Sequence, residues 1–208
     1  FSALEVLVVD DGSQDVSAAA AEKGGADEVV CLPRHLGLAR AFSAGLQAAL
    51  TRGADVIINL DADGQYDPAD LPALVRPILE QRADLVIGDR SAALRGQISP
   101  LKYWLLRAGS RVVSLSSGLP IPDAASGLRA LTRAAARDTR VHSRYSYTLE
   151  TLIQAGALGW RVLSLPVRAH PVARPSRLMQ STAQYVFFST AAILRAVFTY
   201  RLKGRKQP

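Results

Sequence analysis

Short runs of consecutive apolar residues alternate along the first half of the chain with stretches in which apolar positions recur every three or four residues. Residues 5–9, 55–60 and 84–87 are too short for helices and rich in β-branched side chains. They read as strands, apolar on successive positions as in a sheet covered on both faces. Glu28–Cys31 reads as a further strand. Residues 16–23, Leu38–Thr51 and a stretch from Asp67-Pro68 to about Arg82 read as helices. Gly24-Gly25 and Gly53 stand where the first two should stop, and Asp67 before Pro68 is an N-cap followed by a residue suited to a first helical position. Alternating β and α elements predict an α/β fold with a mostly parallel sheet flanked by helices.

The second half is less regular. Residues 101–116 and 148–158 read as helices, 127–131 and 161–167 as strands, and 171–176 as a loop holding Pro171 and Pro175. Residues 181–200 are apolar but for Arg195 and a scatter of hydroxyls and Gln184, and the basic tail Arg201, Lys203, Arg205, Lys206 follows. That segment approaches the length of a membrane span, but its polar residues favour a helix lying on an anionic leaflet or packed on the core. Repeats, low-complexity linkers and a signal peptide are absent from the sequence. The economical division is one domain over 1–178 with a C-terminal extension over 179–208.

Composition supports a packed core: of 208 residues 49% are hydrophobic and 21% charged, which excludes disordered, collagen-like and disulfide-scaffold classes. The single cysteine, Cys31, forms no internal bridge, which points to a reducing compartment and excludes Cys/His zinc modules. Met179 is the only methionine, so the chain opening on Phe1 reads as a piece of a longer one.

Charge changes the picture more. Residues 1–93 carry 7 basic and 15 acidic side chains, and residues 94–208 carry 18 and 3. A basic half suits phosphates or an anionic membrane, and clustered aspartates suit a cation. Nucleic acid is not an expected partner, since aromatics are only 6% and no helix-turn-helix or stacking platform is present.

Three predicted strands end in acidic clusters: Asp10-Asp11-Gly12-Ser13, Asp61-Ala62-Asp63-Gly64 and Gly88-Asp89-Arg90. In open α/β sheets ligands bind beyond the carboxyl ends of the strands. Carboxylates gathered there repel one another unless a cation sits among them, and oxygen ligands without thiolate favour Mg2+ or Mn2+. Asp61 and Asp63, two apart, point to one side of an extended backbone. Each cluster alone is ordinary turn chemistry; their combination at strand ends is what suggests a site.

Residues 8–15 (Val-Val-Asp-Asp-Gly-Ser-Gln-Asp), 61–65 (Asp-Ala-Asp-Gly-Gln) and 123–129 (Asp-Ala-Ala-Ser-Gly-Leu-Arg) resemble family-two glycosyltransferases with the GT-A fold. The likeness is to the dolichol-phosphate mannose synthase-like branch. It implies metal-dependent, inverting transfer of a sugar from a nucleotide-diphosphate donor to a polyprenyl phosphate or another envelope acceptor, at the cytoplasmic face of a membrane. It implies that Asp10, Asp11, Gly37, Asp61, Arg174, Ser176 and Arg177 meet the donor, that Asp63 and Gln65 hold the metal, and that Arg90 and Arg107 face the acceptor phosphate. Asp61, Asp63 and Asp123 are the candidate catalytic residues; for a hydroxyl acceptor Asp123 or Asp89 would be the base. Asp89 stands where the family usually has serine, His35 where it has asparagine, and Arg177 where it has lysine. The family's first strand would precede Phe1. A sugar-nucleotide nucleotidyltransferase and an inactive membrane-docking scaffold are the alternatives.

Overall fold

The computed structural model describes residues 3–143, 146–171 and 182–203. Leu7–Asp10 (β1), Ser17–Lys23 (α1) and Glu28–Cys31 (β2) form a parallel βαβ unit. Leu38–Thr51 (α2) has the bounds its apolar spacing predicts and buries Ala39, Phe42, Leu46 and Ala49 at three- and four-residue steps. Val56–Asn59 (β3) leads through the 3-10 turn Pro68–Asp70 into Leu71–Leu79 (α3). Asp67 caps that turn, accepting from the Ala69 amide at 2.9 Å. The helix ends at Leu79 rather than near Arg82. Gln81 takes a left-handed backbone (φ 54°), and the Arg82 and Ala83 amides turn back to the Pro77 carbonyl, aiming the chain into Leu85–Asp89 (β4).

A single turn, Ser91–Leu94 (α4), precedes Pro100–Ser117 (α5), which has Ser99 as N-cap, Pro100 in its first turn and left-handed Gly118 (φ 75°) at its end. Arg129–Thr132 (β5), Arg133–Asp138 (α6), Tyr147–Leu158 (α7), Val162–Pro166 (β6) and Thr182–Ala196 (α8) complete the order, and Val197–Lys203 continues as a π-helical turn. The turns α4 and α6 are absent from the sequence expectation, being too short to show periodicity.

β1 and β2 form one sheet, and β3, β5, β4 and β6 a second, in that order. β4 and β6 are parallel, and β5 runs against both β3 and β4. Its direction follows from its connection. The chain leaves β4 at Asp89 and re-enters the sheet at Arg129, opposite Ile87 of β4 and Asn59 of β3. The excursion over 90–128 therefore begins and ends on one edge, and a strand starting from that edge must run the other way.

The inner strands β4 and β5 are buried almost throughout, whereas β1, β3 and β6 are half-buried, so the expectation of two covered faces holds only for the middle of the sheet. Alternate residues divide the core: Ile57, Leu85, Ile87 and Leu131 join a cluster that includes residues of α2, α7 and α8, and Val86, Leu128 and Ala130 join Leu74 and Ile78 of α3. α8 packs on α7 and buries Ala192, Ile193 and Ala196. Among the described residues, no helix is long and apolar enough to cross a membrane.

Candidate active site

The loops leaving β1, β3 and β4 carry the acidic clusters. Asp10 closes a tight turn, its Oδ1 accepting from the Ser13 amide at 3.2 Å. Asp11 is committed within the chain: its oxygens accept from the Leu36 and Gly37 amides at 2.7 and 2.9 Å, and His35 Nδ1 pairs with Oδ2 at 2.8 Å. It thus fastens the loop that enters α2 at Gly37 (φ 93°), a task the sequence does not announce. Gly12 permits the fastening. A Cβ there would lie 2.3 Å from the Arg34 carbonyl carbon, so the two loops meet backbone against backbone.

Beyond β3, Asp63 is exposed and accepts from the Gln65 amide at 3.0 Å. Asp61 is half-buried, and among the described residues its carboxylate has no hydrogen-bond partner. Burial first, then the Asp63 charge, pushes the Asp61 carboxyl above the usual carboxylate range, against the pull of the Arg90 and Arg129 cations. The described residues contain no group of three or more His, Cys, Asp or Glu side chains arranged to hold a metal ion. Of the expected carboxylates, Asp63 acts on Asp61 through its charge, whereas Asp11 is spent on the loop that enters α2. An unpaired carboxylate beside a second one fits a hard cation that takes its remaining oxygens from ligand and water. Gln65 Oε1 accepts from Arg90 at 2.6 Å, which leaves that oxygen one lone pair for a cation.

Arg90 is the hub. It binds Asp123 through Nε to Oδ2 at 2.8 Å and through its other terminal nitrogen to Oδ1 at 3.1 Å, with the Tyr66 ring 5.8 Å away. Burial disfavours the Arg90 cation, but the Asp123 charge and hydrogen bonds outweigh it and keep the guanidinium pKa above its ordinary value. α5 seats Asp123 from behind: Ser110 accepts from the Ala124 amide, and the Ser114 hydroxyl bridges the amide and carbonyl of Ile121, all at 3.0 Å. Asp89 accepts from the Ser91 amide at 2.8 Å and starts α4. Arg107 is exposed on α5, and no hydrogen bond or ion pair joins it to this cluster among the described residues. Arg174, Ser176 and Arg177 lie outside the described residues.

The Ser126–Arg129 string forms the wall behind Asp61. The Gly127 amide donates to the Tyr66 hydroxyl at 2.9 Å, and the Gly127 carbonyl accepts from Asn59 Nδ2 at 2.9 Å. Asn59 also donates to the Tyr147 hydroxyl at 2.7 Å, and Tyr147 stacks on Phe42 of α2 with centroids 3.9 Å apart. Arg129 is fully buried, and its partners among the described residues are neutral acceptors: the carbonyls of Ala124, Ser126 and Thr148 and the Thr151 hydroxyl. Burial lowers its pKa, and its charge adds to the field at Asp61. Asn59, Tyr66 and Tyr147 were not foreseen. The one available sign was Asn59, the polar residue in an otherwise apolar strand.

Residues 1–139 match the family model described as glycosyl transferase family 2. An uncharacterized glycosyltransferase of Mycobacterium tuberculosis is 41% identical over 170 residues, covering 79% of this chain and 73% of the relative. An undecaprenyl-phosphate mannosyltransferase of Micrococcus luteus is 31% identical over 173 residues, covering 78% of this chain and 70% of the relative. Among solved structures, glucosyl-3-phosphoglycerate synthase from Mycobacterium tuberculosis, in complex with Mn2+, uridine diphosphate and phosphoglyceric acid, superposes with a TM-score of 0.69 at 24% identity. That match covers 93% of this chain and 67% of the other, and it shows a shared fold.

Proposed function

Because the chain belongs to glycosyl transferase family 2, we propose that it moves a sugar, with inversion, from a nucleotide-diphosphate donor to a polyprenyl phosphate at the cytoplasmic face of a membrane. It is a glycosyltransferase with the GT-A fold; donor, acceptor, metal and residue roles are the proposal. The carrying observation is the engagement of Asp123: both of its oxygens bind Arg90. That engagement withdraws Asp123 as the base for a hydroxyl acceptor and leaves Asp89 as that candidate, whereas a phosphate acceptor is already an anion and needs no base. The Micrococcus luteus relative, named for undecaprenyl phosphate and mannose, supports that acceptor class.

In this reading an oxygen of the acceptor phosphate bonds to the anomeric carbon as the bond from that carbon to the donor diphosphate breaks, and the nucleoside diphosphate leaves with the electron pair. Asp61 and Asp63 would hold a divalent ion, Mn2+ as in the structural neighbour's complex or Mg2+. Bound there, the ion supplies positive charge to the leaving diphosphate. Asp10 would meet the donor nucleoside, and Arg174, Ser176 and Arg177 the diphosphate. Arg90 orients Asp123 and Gln65 rather than standing open to the acceptor; Arg107, being exposed, stays a candidate for the acceptor phosphate. The nucleotidyltransferase alternative has no support from the family match.

The test is a panel of labelled UDP- and GDP-sugars with Mn2+ or Mg2+, with and without polyprenyl phosphate. Labelled glycolipid should form only when the lipid phosphate is present, and Asp63→Asn should slow it by about a hundredfold with the fold intact. Transfer to hydroxyl acceptors alone, or no transfer from any donor, overturns the reading.

A further inference from the structure

We propose that the outer face of α5 is a docking surface for an anionic lipid bilayer, with the helix lying in the plane of the membrane. Leu101, Trp104, Val112 and Leu115 recur at helical spacing along that face, and Leu101, Trp104 and Leu115 are 69%, 68% and 79% exposed. The opposite face buries Ser110, Val113 and Ser117 against the domain. Arg107 and Arg111, both exposed, follow one flank of the apolar stripe, and no acidic residue occurs from Arg90 to Pro122. An apolar stripe with a tryptophan and basic flanks matches a headgroup boundary, where acyl chains take the apolar side chains and anionic phosphates answer the arginines.

A second copy of the chain fits less well. An antiparallel two-fold contact along this stripe would bring the arginine rows of the two helices together, and in either direction neither helix offers a carboxylate to answer them. The position of the helix supports lipid as well. The same helix seats Asp123 through Ser110 and Ser114, so a bilayer on its outer face would lie just behind the Arg90–Asp123 cluster. The docking is independent of donor and acceptor; its bearing on catalysis rests on the polyprenyl-phosphate reading.

Vesicles of phosphatidylglycerol and phosphatidylcholine lacking any polyprenyl phosphate test docking apart from transfer. Trp160→Phe leaves Trp104 as the only tryptophan. Lipids brominated on the acyl chains should then quench Trp104 and shift its emission to the blue, with phosphatidylglycerol but not with phosphatidylcholine alone. Leu101→Gln with Leu115→Gln should weaken co-sedimentation at least about tenfold while circular dichroism and the thermal midpoint stay unchanged. Arg111→Gln should weaken binding to the anionic vesicles. Binding without Trp104 quenching, or binding lost through Phe188→Gln with Leu194→Gln on α8 and untouched by the α5 changes, overturns the proposal. So does a dimer in solution that Leu115→Gln dissociates, with no vesicle binding.

Discussion

The Arg90 guanidinium grips both oxygens of Asp123, at 2.8 and 3.1 Å, and reaches Gln65 with its remaining nitrogen at 2.6 Å. One buried cation thereby sets the loop after β3 and the loop before β5 relative to each other. Their rims meet around Asp61, whose carboxylate has no hydrogen-bond partner among the described residues. The geometry makes Arg90 and Asp123 a positioning pair.

Removing one member of this pair leaves the other charged and buried. Asp123→Ala should destabilise the chain by about 3–5 kcal/mol in urea unfolding. Arg90→Leu with Asp123→Leu together should cost less than the sum of the single changes, because neither charge is stranded. Additive losses in that cycle would show that the two side chains do not act as a unit.

Gly127 has no side chain because Asp61 occupies the space: a Cβ would sit 2.6 Å from Asp61 Oδ2. Gly127→Ala should push the carboxylate aside, weakening Mn2+ binding by about tenfold or more with a small change in thermal midpoint. Isothermal titration with Mn2+ reads the effect, and unchanged affinity would mean that Asp61 does not hold the ion.

The raised pKa of Asp61 gives stability a pH dependence of definite sign. Its contribution is fully present below the unfolded carboxyl pKa, about 3.9, and is lost as pH rises through the higher folded value. Without metal at pH 7, Asp61→Asn should therefore melt higher than wild type, and the gap should close near pH 4. Saturating Mn2+ should narrow or reverse the order, since only wild type gains its full binding energy. Calorimetry at three pH values tests both parts.

Glu150 is 2% exposed and gathers the loop after α6: it accepts from the His142 and Ser143 amides at 3.0 and 2.8 Å and from the Tyr200 hydroxyl at 3.3 Å. Glu150→Leu should cost about 2–4 kcal/mol by orphaning those amides, and Tyr200→Phe about 1 kcal/mol. Thermal unfolding compares them, and limited proteolysis should show faster cleavage around Ser143 in the Glu150 variant.

The strands β2, β3 and β4 and the helix α2 were legible because each is an apolar pattern of one period bounded by turn residues. So was the acidic character of the strand ends, and with it the resemblance carried by residues 8–15, 61–65 and 123–129. The tasks of those acids were not legible. Asp11 and Asp10 stand side by side in the chain, yet one holds the entrance to α2 and the other closes its own turn. A carboxylate followed by glycine reads the same whether its partner is an amide 25 positions away or a cation.

What the sequence alone determined was where the longer strands and helices lie and which edge of the sheet is acidic, since both follow from local periodicity and from residue types next to one another. Tertiary structure decided the rest: that β5 runs backward, that Arg90 takes Asp123 and Gln65, that Gly127 makes room for Asp61, and that the apolar stripe of α5 faces outward. Those outcomes depend on contacts between residues far apart in the chain, where burial and charge pairing choose the partners and no local pattern records the choice.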